Sequence, residues 1–220
     1  MQKLWVIRKQ RYRETSALLT VLLDDNRLVR CLARGAGKVS EFQPLFGQLL
    51  TTKKLSNLSK IESVGPRLPL TGVELVSALY VNEITHWIIP EGAEVENLFD
   101  TYTQSVKQVS LGEIGALRRY ERWLLEAAGT YPVLDRDHHG ETLRQGAWYR
   151  LHKHQELVEV NREEPDALSS EDWLSLASSN YGCALTLRHA KWLHRSLIDI
   201  ALDGRRLVSR EMLTKSGKTQ

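Results

Sequence analysis

The sequence predicts an α+β chain: a five-stranded barrel over roughly its first 65 residues, then a mostly α-helical domain that carries one small β-hairpin. Three observations lead there. The N-terminal stretch is a series of short apolar runs separated by turn residues. At "GPRLPLTG", Gly65–Gly72, two prolines and two glycines interrupt that pattern. Beyond them apolar residues recur at helical spacing. The domains are accordingly read as residues 1–68, the barrel, and residues 69–220, the helical part.

The elements follow in order. "LWVIR", Leu4–Arg8, is a short apolar strand. "SALLTVLLDDNRLVRCLARG" is two strands joined at Asp24-Asp25-Asn26, a turn signal. On the second of these Val29, Cys31 and Ala33 share one face, and Leu28, Arg30, Leu32 and Arg34 share the other. "FGQLLTTKKL" and "LSKIESV" complete five strands, with the break placed at Ser56-Asn57. Thr71-x-x-Glu74 reads as a capping-box start, and Val73, Val76, Tyr80, Ile84 and Trp87 keep helical spacing until Pro90. Further helices are expected from Glu94 to about Val109 and from Glu113 to about Ala128. "AWYRLHKHQELVEV" reads as a hairpin turning at His154-Gln155, and Ser169 caps a helix with Asp172 three residues on. A long helix is expected over Leu185–Leu202, and the tail "SREMLTKSGKTQ" as a polar, frayed end.

Composition bounds the function. Apolar residues at 42% and charged residues at 26% are those of a folded globular chain. A net charge of +3 suits an anionic partner without requiring one. Cys31 and Cys183 are the two cysteines, which fits a reducing compartment and is too few for a four-cysteine zinc site. The N-terminus lacks the apolar core of a secretory signal. The apolar stretch Val73–Pro90 is interrupted by Glu74, Asn82, Glu83 and His86, so no membrane span is expected. The expectation is a soluble, cytoplasmic protein.

Chemistry-bearing residues are cationic rather than catalytic. "GAGK" is no phosphate loop, because Leu32 stands where that motif needs its first glycine. Arg30, Arg34 and Lys38 lead into and line this turn, and Arg8, Arg11 and Arg13 cluster upstream. On a five-stranded barrel such cations, with Tyr12 available for stacking, form a DNA-binding face; the plainer alternative is a solvated hairpin tip. His138-His139 and His152-x-His154 lack thiols and have few carboxylates beside them, so no metal site is assigned. His189 and His194 are read as surface residues. No nucleophile elbow, zinc-protease motif or dinucleotide fingerprint occurs, so no enzyme is expected. In "ALRRYERWLL", Arg118 flanks an apolar face containing Leu125, which suits either capture of an acidic peptide or a plain core helix. Arg188, Lys191 and Arg195 form one stripe at i, i+3 and i+7, a solvated face or a phosphate track.

Taken in order, "YRETS", "VRCLARGAGK", "QPL", "LPLTGVELVSALYVNEI", "ALRRYERWLLEAAG" and "LVSREML" resemble the bacterial recombination mediator family RecO over almost the whole chain. The resemblance implies an N-terminal OB-fold barrel (oligonucleotide/oligosaccharide-binding) and a helical domain. It implies a non-catalytic role in RecF-pathway DNA repair and recombination at the nucleoid. That role is to bind single- and double-stranded DNA, anneal complementary strands and, with RecR, help load RecA onto DNA coated with single-strand-binding protein. It also implies that Arg30 and Arg34 are basic strand residues facing DNA, and that Arg118 and Leu125 lie in the helix that takes the tail of the single-strand-binding protein. Some family members carry a four-cysteine zinc motif; residues 131–150 here contain no cysteine, so no cofactor is expected. The loop after "RGA" is shortened to "GKVSEF", which points to a modest DNA clamp and leaves a non-catalytic protein-interaction adaptor as the alternative.

Overall fold

The computed structural model of the chain describes residues 1–12, 14–35, 39–51, 55–153 and 155–216, the last four by their backbone. It divides into two compact units, Met1–Glu113 with Arg206–Gln220, and Ile114–Arg205.

Five strands open the first unit: β1 (Gln2–Tyr12), β2 (Ser16–Leu23), β3 (Leu28–Arg34), β4 (Leu45–Leu50) and β5 (Ser56–Ser63). They close into a barrel in the order β1-β2-β3-β5-β4. Every neighbouring pair is antiparallel except β3 and β5, which run parallel. This closed Greek-key barrel has the OB-fold arrangement, and with the helices that follow it makes the chain α+β. Leu4, Val6, Leu19, Val21, Cys31, Ala33, Leu45 and Leu58 fill the interior. Gly47 sits where β1 meets β4; a Cβ there would lie 2.7 Å from Leu58 and 2.9 Å from Leu4, so closure uses the missing side chain. The break between β4 and β5 falls before Ser56, not at Ser56-Asn57, because both residues pair with β3.

Helices α1 (Gly72–Ile88) and α2 (Leu98–Ser110) belong to the same unit. Helix α1 begins where expected, but the Thr71 side chain makes no capping hydrogen bond. Helix α2 starts four residues later than its spacing predicted. Glu94 bridges to Arg27 and Val95 N donates to Asn26 O, which holds this segment extended along the β2–β3 turn until Asn97 takes a left-handed φ of 60°. Trp5, on the barrel exterior, donates from Nε1 to Thr103 Oγ1 (2.7 Å) and meets Tyr102 edge-on, while Tyr102 O–H donates to Asn82 on α1 (2.6 Å). The tail is not frayed at its start: it forms α6 (Val208–Ser216). The Glu83 carboxylate of α1 accepts from Val208 N (2.9 Å), Ser209 N (3.0 Å) and the Ser209 hydroxyl. An anion on a helix N-terminus satisfies its orphan N–H groups and complements the helix dipole.

The second unit holds α3 (Ala116–Ala127), a sheet of β6 (Trp148–His152), β7 (Glu156–Val160) and the two-residue β8 (Leu168–Ser169), then α4 (Ser170–Ala177) and α5 (Ala184–Ala201). The expected hairpin is β6–β7; β8 is a third edge that is too short to show periodicity. Ser169 caps α4 by accepting from Asp172 N, and buried Trp173 donates to Tyr149 O (2.9 Å), fastening α4 to the sheet.

Glu83→Ala should lower stability by about 1–2 kcal/mol, the cost of an uncapped helix start. Urea unfolding with faster amide exchange confined to α6 checks this. The thiols should also separate. Burial pushes the Cys31 thiol up to about 12, while N–H groups at the start of α5 hold the exposed Cys183 thiol below its ordinary value. At pH 8 an aromatic disulfide reagent should titrate one thiol per native chain and two per denatured chain.

Candidate nucleic-acid interface

Alternation along the strands sorts residues of β1, β2 and β3 to the barrel interior or exterior, but one irregularity decides which cations lie together. Leu4 and Val6 point inward, so an uninterrupted β1 would send Arg8 inward as well. A bulge between Val6 and Arg8 moves the register by one residue. Arg8 therefore pairs with Thr20, and Thr20 pairs with Arg30, forming one outward row. The next outward row is Gln10, Leu18 and Leu32, and the third is Tyr12, Ser16 and Arg34. The exterior of β1–β3 thus presents three arginines and a tyrosine around two leucines.

Between this face and the end of α1 lies a cleft of about 440 Å³, lined among others by Arg8, Thr20, Arg30, His86, Trp87 and Glu91. Arg8 Nη1 donates to His86 Nε2 (2.8 Å), and its guanidinium lies 5.1 Å from the centre of the Trp87 ring. Arg30 and Arg34 are exposed, and among the described residues neither guanidinium has a partner; Arg30 N donates to Glu91 Oε1 (3.2 Å). Arg34 and Lys60 also stand at a second cleft of about 450 Å³, bordered by Val39, Leu45 and Ile61.

The remaining expected site residues are placed as follows. Arg11 is exposed but pairs with Ala17, on the alternate row from Arg8, Arg30 and Arg34. Arg13 and Lys38 lie outside the described residues. Glu41, the acid beyond the turn, is half-buried; burial pushes its carboxyl up against the pull of Lys9 and Arg67. Sequence reasoning misses Trp87, whose spacing continues the apolar face of α1, and His86, which appears there only as a polar break in the apolar stretch. Their one signal was position: an aromatic pair at a helix end, just ahead of Pro90.

In the helical unit, Leu125 is fully buried and contributes packing rather than surface. Arg118 bonds Glu121 (2.6 Å), a carboxylate only 1% exposed. His194 Nδ1 donates to the same carboxylate (3.1 Å), and its Nε2 faces Tyr131 O–H at 3.4 Å. His194 is thus fully buried, contrary to the surface position expected for it, and His189 is half-buried, 3.6 Å from Asp172. The five-residue spacing splays the two by roughly 140° and places His194 with Ala190, Leu193 and Leu197 on the buried face of α5. Arg188, Lys191 and Arg195 are all exposed on that helix.

Residues 70–171 match the family model described as "Recombination protein O C terminal". Over 220 aligned residues the chain is 31% identical to the DNA repair protein RecO of Pseudomonas putida (strain W619), covering 97% of both chains. The chain belongs to the RecO family. The RecO of Laribacter hongkongensis (strain HLHK9) is 31% identical over 97% of this chain and 93% of its own. For the RecO of Pseudomonas paraeruginosa (strain DSM 24068 / PA7) the identity is 32%, over 96% and 93%. Membership agrees with the OB barrel and makes the outer arginine face the leading candidate for contact with DNA. Among the described residues no helix is long and apolar enough to cross a membrane.

Replacing Arg30 or Arg34 by Ala should change stability by less than about 0.5 kcal/mol. Arg8→Ala should cost about 1 kcal/mol by removing the His86 bond and the Trp87 contact. Urea unfolding of the three variants distinguishes these outcomes.

Proposed function

We propose that the chain is a recombination mediator that binds single- and double-stranded DNA on the barrel face of residues 1–68 and anneals complementary strands. With RecR, it helps load RecA onto DNA coated with single-strand-binding protein, in the cytoplasm at the nucleoid. The observation that carries this reading is the outward row Arg8–Thr20–Arg30 with Arg34 two rows along, in which two guanidiniums have no partner among the described residues. Annealing breaks no bond. It needs two polyanions held close, which is favourable only where cations replace the condensed counterions. Arg30 and Arg34 supply phosphate contacts, Tyr12 and Trp87 supply stacking surfaces, and Gln10 is a neutral donor between them. Arg11 adds charge at the margin of the face, and Arg13 and Lys38, outside the described residues, are further cations for phosphate contact.

The helical unit delivers this face to coated DNA by taking the acidic tail of the single-strand-binding protein near α3. Arg118 is the cation for that tail. Its five donors allow it to keep Glu121 and bind a second carboxylate, while Leu125, fully buried, packs under α3 and offers the tail no surface. Tethering raises local concentration, so the barrel need not bind DNA tightly.

Two observations favour the alternative, a non-catalytic adaptor with a weakened DNA site. Glu91 lies in the arginine cleft and Arg8 is already engaged by His86 and Trp87. Salt dependence separates the two readings. Labelled single-stranded DNA should bind the wild type with an affinity that falls steeply with salt. The Arg8→Ala/Arg30→Ala/Arg34→Ala variant should bind more weakly, with a log–log slope shallower by about 2, at roughly 0.7 per lost phosphate contact. Weak wild-type binding that is insensitive to salt would sink the mediator reading in favour of the adaptor.

A further inference from the structure

We propose that α5 carries a second track for single-stranded nucleic acid, in which Arg188, Lys191 and Arg195 hold successive phosphates and Trp192 stacks on a base. The proposal deepens the mediator reading and rests on it: annealing requires a place for each of two strands, and the barrel face is one.

The four residues fall within an arc of about 100° on the helix, since each residue turns the chain by 100°. All are exposed, Trp192 at 38%. Among the described residues no carboxylate pairs with Arg188, Lys191 or Arg195. That separates them from α3, where Arg118 bonds Glu121 and Arg122 bonds Glu126. A solvated face laced with ion pairs does not account for a stripe whose three cations have no partner among the described residues. Trp192 has the form of a platform. Its ring meets fully buried Trp173 edge-on at 6.4 Å, so one side is fixed by the core while the rest stays open. Flanking groups leave the track clear: His189 turns toward Asp172 on α4, and Asp199, one turn beyond Arg195 on the same face, marks its end.

The dimensions suit a strand. Arg188 to Arg195 spans about 10.5 Å at 1.5 Å per residue, the length of about three stacked nucleotides at 3.4 Å each. Cations at regular intervals with an aromatic among them match a polymer that repeats phosphate and base.

The test uses the full chain as wild type, the barrel variant Arg8→Ala/Arg30→Ala/Arg34→Ala, the stripe variant Arg188→Ala/Lys191→Ala/Arg195→Ala, and Trp192→Phe. Short labelled deoxythymidine oligonucleotides are titrated to saturation at low salt, and annealing of complementary strands is timed. The wild type should saturate with two oligonucleotides per chain and each triple variant with one. The stripe variant should anneal about tenfold more slowly, as expected for losing three phosphate contacts. The tryptophan quenching that persists in the barrel variant should disappear when Trp192→Phe is added. A stripe variant that keeps two oligonucleotides per chain and anneals at the wild-type rate overturns the proposal and leaves the mediator reading standing. So does one that loses only binding of an acidic peptide, which would give this face to a protein tail. A wild type that binds no oligonucleotide overturns both.

Discussion

One extra residue in β1 organises the barrel exterior. Strand side chains alternate with period two, so a register is a decision about which set faces water. Before the bulge at Val6/Arg8, even-numbered residues of β1 fill the interior; after it, even-numbered residues face outward. The same strand can therefore seal the core with Leu4 and Val6 and still place Arg8, Gln10 and Tyr12 beside Thr20, Leu18 and Ser16. Without the bulge Arg8 would be a charge directed into an apolar interior, which is untenable without a partner.

The helical unit divides its cations between structure and surface. Glu121 is a nearly inaccessible carboxylate, and such a group is tolerated only when its charge and lone pairs are met. Arg118 and His194 meet them, and Arg122 is held by Glu126 and by the Leu176 and Ala177 carbonyls at the end of α4. Arg122 thereby joins α3 to α4, while Arg118 is paired within its own helix. Helix α5 has the opposite arrangement, with its ionisable partner for the core, His194, on one side and its cations on the other.

Much of the fold was legible in the sequence because it depends on periodicity and punctuation. The turn at Asp24–Asn26, the Pro90 stop, the Ser169 cap and the β6–β7 hairpin are local signals that the tertiary structure did not override. The misreadings share another cause. The start of α2 is set by Arg27 and Asn26, about 70 residues upstream in the chain, and α6 is set by Glu83, more than 120 residues away. The site followed the same division. Arg30 and Arg34 lie on one face by simple alternation. Grouping Arg8 with them requires the bulge, whereas Arg11, from the same basic run, falls on the alternate row. The buried position of His194 follows from its place beside Ala190, Leu193 and Leu197, whereas its Glu121 partner lies on another helix that no spacing within α5 reveals.

The clasp of Glu83 on α6 has a consequence for how the chain is assembled. Because α6 belongs with the barrel and its helices, the first unit is discontinuous in sequence and the second is an insertion between α2 and α6. During synthesis, residues 114–205 are complete before the first unit receives its last helix. The inserted unit can thus reach its native state while its host is still unfinished, and a fragment ending at α2 is a barrel unit with one helix missing. Excision of residues 114–205, with a linker in their place, is the cut that respects the boundaries of both units.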